Sequence, residues 1–381
     1  MEEDQISESN NKFSIDIFQA IKTPEENLFF SPLSIYMLLS MVFAGAHGLT
    51  ETQIKSVLHI TLDQNRYHST FKKLLRVFQR DTGSELSMAN LLCIHENYKL
   101  LEKYLWIVED NYGGAIWSLD FNAIIDSCSK INAWVAEHTK GKIKEIIHTL
   151  EEEAGIVLVN AIYFKGAWEK RFKEKDTKDE DFTLISGDKI LVPMMHQKEK
   201  FRWLNEEGFQ ILELPYKGAR IFGNFERISM VIFLPENYNG TGEQENTLTH
   251  DKINSYLDKL HKVWEREIKV FIPKFKIERK YELLKTLFDL GMTSAFSDGA
   301  DFSRIAEDPP RYISQIIHKA FVEVNERGTE AAAVTATVMI GGTIGMPKPK
   351  EFRADHPFLF FLIDSYTRTI LFMGRVMNPK S

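Results

Sequence analysis

Cysteine is scarce: Cys93 and Cys128 are the only two in 381 residues. A disulfide framework is excluded, although one bridge between the two is compatible with the sequence. No apolar run reaches the roughly 18 residues that a membrane-spanning helix needs. The opening segment, MEEDQISESNNKFSIDIF, lacks a basic region, a long apolar stretch and a small-residue cleavage site, so no secretory leader is read there. A basic excess is missing too. With 47 Lys and Arg against 54 Asp and Glu, the net charge of -7 argues against a protein that coats nucleic acid or an acidic membrane.

Catalytic signatures are equally sparse. The 11 histidines include no H-E-x-x-H pair, and there is no C-x-x-C, G-x-S-x-G or G-x-x-x-x-G-K-[ST]. GGTIGMPK superficially suggests a phosphate loop, but its spacing is wrong and Pro347 precedes Lys348. Neither a metal site, a cofactor site nor a nucleophilic triad is indicated, so enzymatic turnover is not expected.

What is present is a core. Hydrophobic content of 44% with 12% aromatics is ample for a packed interior. NKFSIDIFQAI, SPLSIYMLLSMVFAGA, TETQIKSVLHI, YHSTFKKLLRVFQRD and SCSKINAWVAEHTKGKIKEII read as helices, the second opening at Ser31-Pro32 and the last broken at Gly141. GIVLVNAIYFKGAW, FQILELPYKG, ISMVIFLPEN, IKVFIPKFKIERKY and TILFMGRVMNP read as strands ended by Gly, Pro or Asn. Helices thus dominate the first 150 residues and strands the rest, which predicts an α+β fold. No repeat or linker composition appears, so one intertwined domain, 1–381, is expected.

One segment is unusual. In a chain that is 27% charged, residues 331–347 carry no charge. As a strand, one face would hold Thr329, Ala331, Ala333, Thr335, Thr337 and Met339, and the other Glu330, Ala332, Val334, Ala336 and Val338. The first face could be buried in a sheet without stranding an ion. No proline interrupts the ladder before Pro347, and Gly341-Gly342 follow. An Ala-rich helix is the plain alternative, but Val334, Thr335, Thr337, Val338, Ile340 and Thr343 weigh against it.

Here the chain resembles the serpins. VEVNERGTEAAAVTAT is similar to the family's hinge, and FRADHPFLFFLIDSYTRTILFMGRVMNP to its C-terminal signature. NLFFSPLSI, TKGKI, LVNAIYFKGAW, FIPKFKIE and LFDLGMTSAFSDGADFS match in order, so the resemblance covers essentially the whole chain. The lack of a leader and the ending GRVMNPKS resemble the intracellular, ovalbumin-like branch, some members of which leave the cell without a cleaved signal.

The resemblance implies about nine helices and three β-sheets, with an exposed reactive-centre loop over 326–350. It implies a monomer that inhibits a serine protease by suicide: the loop is cleaved, an acyl-enzyme forms, and the loop inserts into the central sheet, leaving a covalent one-to-one complex. A non-inhibitory serpin (carrier, chaperone or storage protein) is the alternative.

Residue by residue, it implies a hinge at Glu326, Gly328, Thr329, Glu330, Ala331, Ala332 and Ala333. Glu326 and Lys274 match a loop-base ion pair. Ser31, Ser34, Asn160 and His318 match a polar cluster where the sheet parts, and Trp168 marks the insertion entrance or a packing position. Arg327 departs from the family's pattern. Val334 is larger than usual but falls on the outward face.

Counting forward from Gly328 puts the scissile bond at Gly342-Thr343; counting back from Asp355-His356-Pro357-Phe358 moves it to Ile344-Gly345 or Met346-Pro347. No Arg or Lys lies between Arg327 and Lys348, and no Asp, so elastase- or chymotrypsin-like targets with apolar pockets are expected. Lys72, Lys73, Arg76 and Arg80 form a basic stripe that a heparin-like polyanion could use, although a solvated helix face is the commoner meaning. Asn239-Gly240-Thr241 is a glycosylation sequon, and the cysteines read as free thiols.

Overall fold

The SPLSIYMLLSMVFAG segment folds as its pattern predicts. Ser31 caps the helix by accepting a hydrogen bond from the Ser34 N–H at 3.2 Å, Pro32 occupies the first turn, and every residue of Pro32–Gly45 is buried. A helix apolar all round must sit inside the protein. The computed structural model describes residues 2–78, 84–151, 155–221, 224–226, 228–329 and 350–381. Within these, the helices are α1 (Glu2–Ile21), α2 (Pro32–Gly45), α3 (Gly48–Val57), α4 (Gln64–Phe78), α5 (Glu102–Tyr112), α6 (Ile124–His138), α7 (Thr241–Thr247), α8 (His250–Lys262) and α9 (Leu284–Asp289).

Three main sheets and a hairpin complete the α+β architecture. The central sheet runs in the order β13 (Phe275–Glu282), β14 (Ile313–Asn325), β15 (Gly328–Thr329), β4 (Ile156–Ala167), β2 (Ser84–His95) and β3 (Ala115–Leu119). A second sheet runs β1 (Leu28–Phe30), β18 (Ile370–Val376), β17 (Phe358–Asp364), β11 (Ile228–Pro235), β8 (Phe209–Pro215) and β7 (Trp203–Glu206). The third runs β16 (Lys350–Arg353), β12 (Arg266–Pro273), β6 (Lys189–Phe201) and β5 (Lys178–Thr183), and β9 (Ala219–Ile221) pairs with β10 (Asn224–Glu226).

Both faces of the central sheet are covered. Helix α2 packs against β2 and β4 from one side and against β18 of the second sheet. On the opposite face Ile131 and Val135 of α6, with Ile143, Ile146, Ile147 and Leu150, cover Leu91, Cys93, Val157, Val159, Ile317 and Phe321. Helix α6 ends at His138, before the predicted break, and the chain beyond Gly141 is not helical. The reason is local: Asn132 Oδ1 accepts from the N–H groups of Ile146 (2.9 Å) and Ile147 (3.2 Å), pinning that segment beside the helix instead of extending it. Both cysteines are buried and free.

Candidate functional site

The site begins where β14 ends. The chain turns at Glu326-Arg327 and Gly328–Thr329 re-enters the sheet between β14 and β4, pairing Thr329 with Val324 and Gly166, and Gly328 with Asn325 and Ala167. Only glycine fits the first of these positions. Its φ is +139°, and a Cβ there would lie 2.0 Å from the Gly166 carbonyl oxygen and 2.7 Å from Ala167 Cα.

Side chains hold this turn from both flanks. The Trp168 indole N–H donates to the Asn325 carbonyl at 2.9 Å, and its ring stacks on Tyr216 with centroids 4.4 Å apart. The Tyr216 hydroxyl meets the buried Thr329 hydroxyl at 2.7 Å. Backbone N–H groups of Trp168 and Phe172 donate to the carbonyls of Arg327 and Glu326, both at 3.0 Å.

Glu326 is buried, with Lys274 3.0 Å from one carboxylate oxygen and the Thr177 hydroxyl donating to the other at 2.8 Å. Burial opposes its ionisation, but its own backbone N–H, Lys274 and Thr177 outweigh that and hold the carboxyl below its usual range. Arg327 reaches the other way, donating through two nitrogens to Glu174 Oε1 at 2.9 and 3.1 Å.

Away from the turn, β14 and β4 pair directly and in parallel, from Phe321 opposite Tyr163 to Ile313 opposite Ile156. In the middle of this seam His318 faces Asn160, and Asn160 in turn faces Asn90 on β2. These side chains form a buried polar row under the start of α2. The Ser31 N–H donates to His318 Nε2 at 3.1 Å, which leaves the ring proton on Nδ1 to donate to Asn160 Oδ1. The Asn160 amide donates to Ser34 Oγ and Asn90 Oδ1, and Ser31 Oγ donates to the Leu371 carbonyl at 2.7 Å. Burial lowers the His318 pKa to about 3, so the ring is neutral.

Ser31, Ser34, Asn160 and His318 therefore lie together, and Glu326 lies against Lys274. Asn90, Thr177, Glu174 and Tyr216 complete the arrangement without belonging to any motif; only Asn90 left a trace, as a polar residue inside the apolar run MANLLC. Glu330, Ala331, Ala332, Ala333, Gly342, Thr343, Ile344, Gly345 and Met346 lie outside the described residues, as does Arg80. Of the basic stripe, Lys72 is paired with Asp110 at 2.6 Å, while Lys73 and Arg76 are exposed. Asn239 is exposed at a turn. The chain is described again at Lys350, where β16 adds in parallel to β12 and Arg353 stacks 3.6 Å over Phe271.

Gly328–Thr329 thus parts β14 from β4 at one end of a seam that is otherwise directly paired. The profile described as serpin (serine protease inhibitor) matches residues 8–379. The chain belongs to the serpin family. An uncharacterized serpin-like protein of Thermococcus kodakarensis is 40% identical, covering 97% of this chain and 85% of that one. Human serpin B3 is 38% identical, covering 98% and 99%. The leukocyte elastase inhibitor of Xenopus tropicalis is also 38% identical, covering 99% and 100%.

Among solved serpins, human glycosylated kallistatin superposes with a TM-score of 0.89 at 30% identity, both chains fully covered. Human thyroxine-binding globulin, crystallised with its hormone, gives 0.86 at 29%, again with 100% of both chains covered. Uncleaved ovalbumin gives 0.85 at 31%, covering 98% and 100%. No helix among the described residues is long and apolar enough to cross a membrane.

Proposed function

We propose that this serpin is a suicide inhibitor of elastase- or chymotrypsin-like serine proteases. The observation that carries the reading is the wedge at Gly328–Thr329, which begins an antiparallel strand between β14 and β4 just where their direct pairing stops. The uncharged, small-residue stretch that follows in sequence could continue that strand along the seam. Insertion would exchange one parallel pairing for two antiparallel ones, a pairing that is more stable per residue.

In this mechanism the protease serine oxygen attacks the scissile carbonyl of the loop, the amide C–N bond breaks, and the new amino terminus departs with the proton. The acyl half remains esterified to the protease. Deacylation needs water, the base and the oxyanion hole in register. Insertion of the cleaved loop pulls the ester out of that register and traps it, as in the serpin strain-release switch that serves as a general example of loop-insertion switching. The resemblance to a leukocyte elastase inhibitor and the absence of Arg and Lys between Arg327 and Lys348 favour an apolar primary pocket.

The test mixes the protein with pancreatic elastase, chymotrypsin and trypsin. An SDS-resistant band at the summed mass with either of the first two is expected, together with a large rise in melting temperature after cleavage; the mass of the released C-terminal peptide names the bond. Clean cleavage without a covalent band would instead make the protein a substrate, with a carrier role as the surviving alternative. An unchanged melting temperature after cleavage would sink insertion itself.

A further inference from the structure

Three chain segments meet at one end of the third sheet. β12 begins at Arg266 and β16 at Lys350, and the two run in parallel with Ile268 opposite Lys350. The residues that precede each strand therefore enter the sheet from the same end. β6 runs the other way and finishes there, with Phe201 opposite Arg266. Lys350 is also where the chain rejoins the sheet after the reactive loop. The hinge side reaches the same end: Lys170, just past β4, pairs with Glu265 at 2.8 Å and lies 5.1 Å over the Phe201 ring.

The charges on this rim are largely engaged. Arg266 and Lys350 both lie over the Trp203 ring, 5.4 and 4.9 Å from its centroid, and Lys198 pairs with Glu267 at 2.8 Å. Trp264 stands apart. It is 91% exposed, more than any other large apolar side chain among the described residues, and no ring or cation lies against it there. Local structure holds it out: α8 ends at Lys262, Val263 packs on the core, and the chain is next buried at Ile268. Single exposed apolar residues are ordinary on protein surfaces, so its place carries the meaning.

Each candidate scissile bond lies between three and eight residues before Lys350, so covalent reach keeps it within about 30 Å of that residue. A serine protease of about 230 residues has a radius of gyration near 17 Å and is roughly 45 Å across. A body of that size with its catalytic cleft on any of those bonds stands against the rim. Tryptophan is among the side chains that most often anchor protein interfaces, because it loses much apolar surface to water exclusion at little entropic cost.

We infer that Trp264 is a docking contact for the attacking protease, outside the protease's catalytic cleft; this rests on the loop being the bait of a serine protease. The test times loop cleavage by chymotrypsin in the parent, Trp264→Ala and Trp106→Ala. Trp264→Ala should be cleaved about ten-fold more slowly, as a second-order rate, with an unchanged melting temperature and an unchanged number of inhibitors consumed per protease trapped. Its binding to chymotrypsin whose nucleophilic serine is replaced by alanine should weaken by a similar factor. Trp106, 62% exposed on α5, which packs on α2, α4 and β3, should give the parent's rate.

Cleavage precedes trapping, so the rate is readable whether or not the protease is trapped. A parent that is cleaved but never trapped would end the inhibitory reading and leave the docking contact standing. A Trp264→Ala variant cleaved as fast as the parent would overturn the docking contact alone. A parent loop that neither chymotrypsin nor elastase cleaves would overturn both. Sedimentation showing dimers that Trp264→Ala abolishes would assign the indole to a second copy of the chain and overturn the inference.

Discussion

At the hinge end β14 and β4 are parted by Gly328–Thr329, whereas from Phe321 onward the same two strands pair directly. The two regions are closed by different chemistry. Beside the buried Tyr216–Thr329 and Trp168–Asn325 bonds, the parted end is held by two ion pairs with an exposed partner, Lys274 at 37% and Arg327 at 45%. The paired end is held by a polar row of fully buried side chains around His318 and Asn160. Exposed ion pairs are exchangeable and worth little, while buried polar groups are costly to leave unmade. The contrast fits a sheet that is easy to start opening and hard to open all the way.

Removing the wedge should have the largest effect. Gly328→Val puts a branched side chain where even a Cβ lies 2.0 Å from a carbonyl oxygen. The parted end must then rearrange, and a loss of about 3 kcal/mol or more is expected, read as a fall in melting temperature. A variant that melts with the parent would mean that the chain does not enter the sheet at Gly328 in solution.

Next comes the paired end. His318→Ala strands the Ser31 N–H and Asn160 Oδ1, and should cost about 2–4 kcal/mol. The sharper measurement is the coupling between His318→Ala and Asn160→Ala. About 1–3 kcal/mol is expected in the uncleaved protein, as for directly bonded partners. Loop insertion would separate β14 from β4, so the coupling should vanish after cleavage. Equal coupling in both forms would rule out a strand entering between them.

Acid should distinguish the two ends as well. The folded His318 pKa is depressed from 6.5 to about 3, so between those values the unfolded chain binds a proton that the folded chain refuses. Its contribution is full above pH 6.5 and is lost as pH falls towards about 3, at up to about 1.4 kcal/mol per pH unit. His68, depressed to about 4, adds a similar slope. The Glu326 carboxyl is also depressed, but its contribution fades only below 4.5. Mild acid, between pH 5 and 6, should therefore weaken the paired end and spare the Glu326 tie. His318→Gln should flatten the stability curve in that window, and an unchanged slope would place the acid sensitivity elsewhere.

The hinge and the row are placed through the resemblance to the serpins, residue by residue; only the uncharged run 331–347 stands out by composition alone. Two strands of the central sheet leave almost no mark. Most of β14 and the second half of β2 are buried on both faces, so the period-two alternation that marks a half-buried strand is weak. Ser84–His95 also falls in the helix-rich half of the chain, and Asn90 was hidden with it. Thr177, Glu174 and Tyr216 act through tertiary contact alone, and nothing local distinguishes them from any other Thr, Glu or Tyr.

The smallest expected effect concerns Arg327, which departs from the family's pattern. Arg327 pairs with Glu174 by two nitrogens on one oxygen, and both side chains are largely exposed, 45% and 65%. Such a pair is worth about 0–1 kcal/mol, so Arg327→Ala should shift the melting temperature barely at all. Lys274→Ala should cost somewhat more, since it leaves the buried Glu326 carboxylate with only Thr177 and its own backbone N–H. Both residues flank the turn at Glu326-Arg327, so under the proposed mechanism their influence would fall on the rate of insertion more than on stability. Measured as inhibitor consumed per protease trapped, both variants should insert faster and trap at least as well as the parent. A fall in trapping for Arg327→Ala, with stability unchanged, would show that the pair with Glu174 positions the loop for attack and does not restrain it.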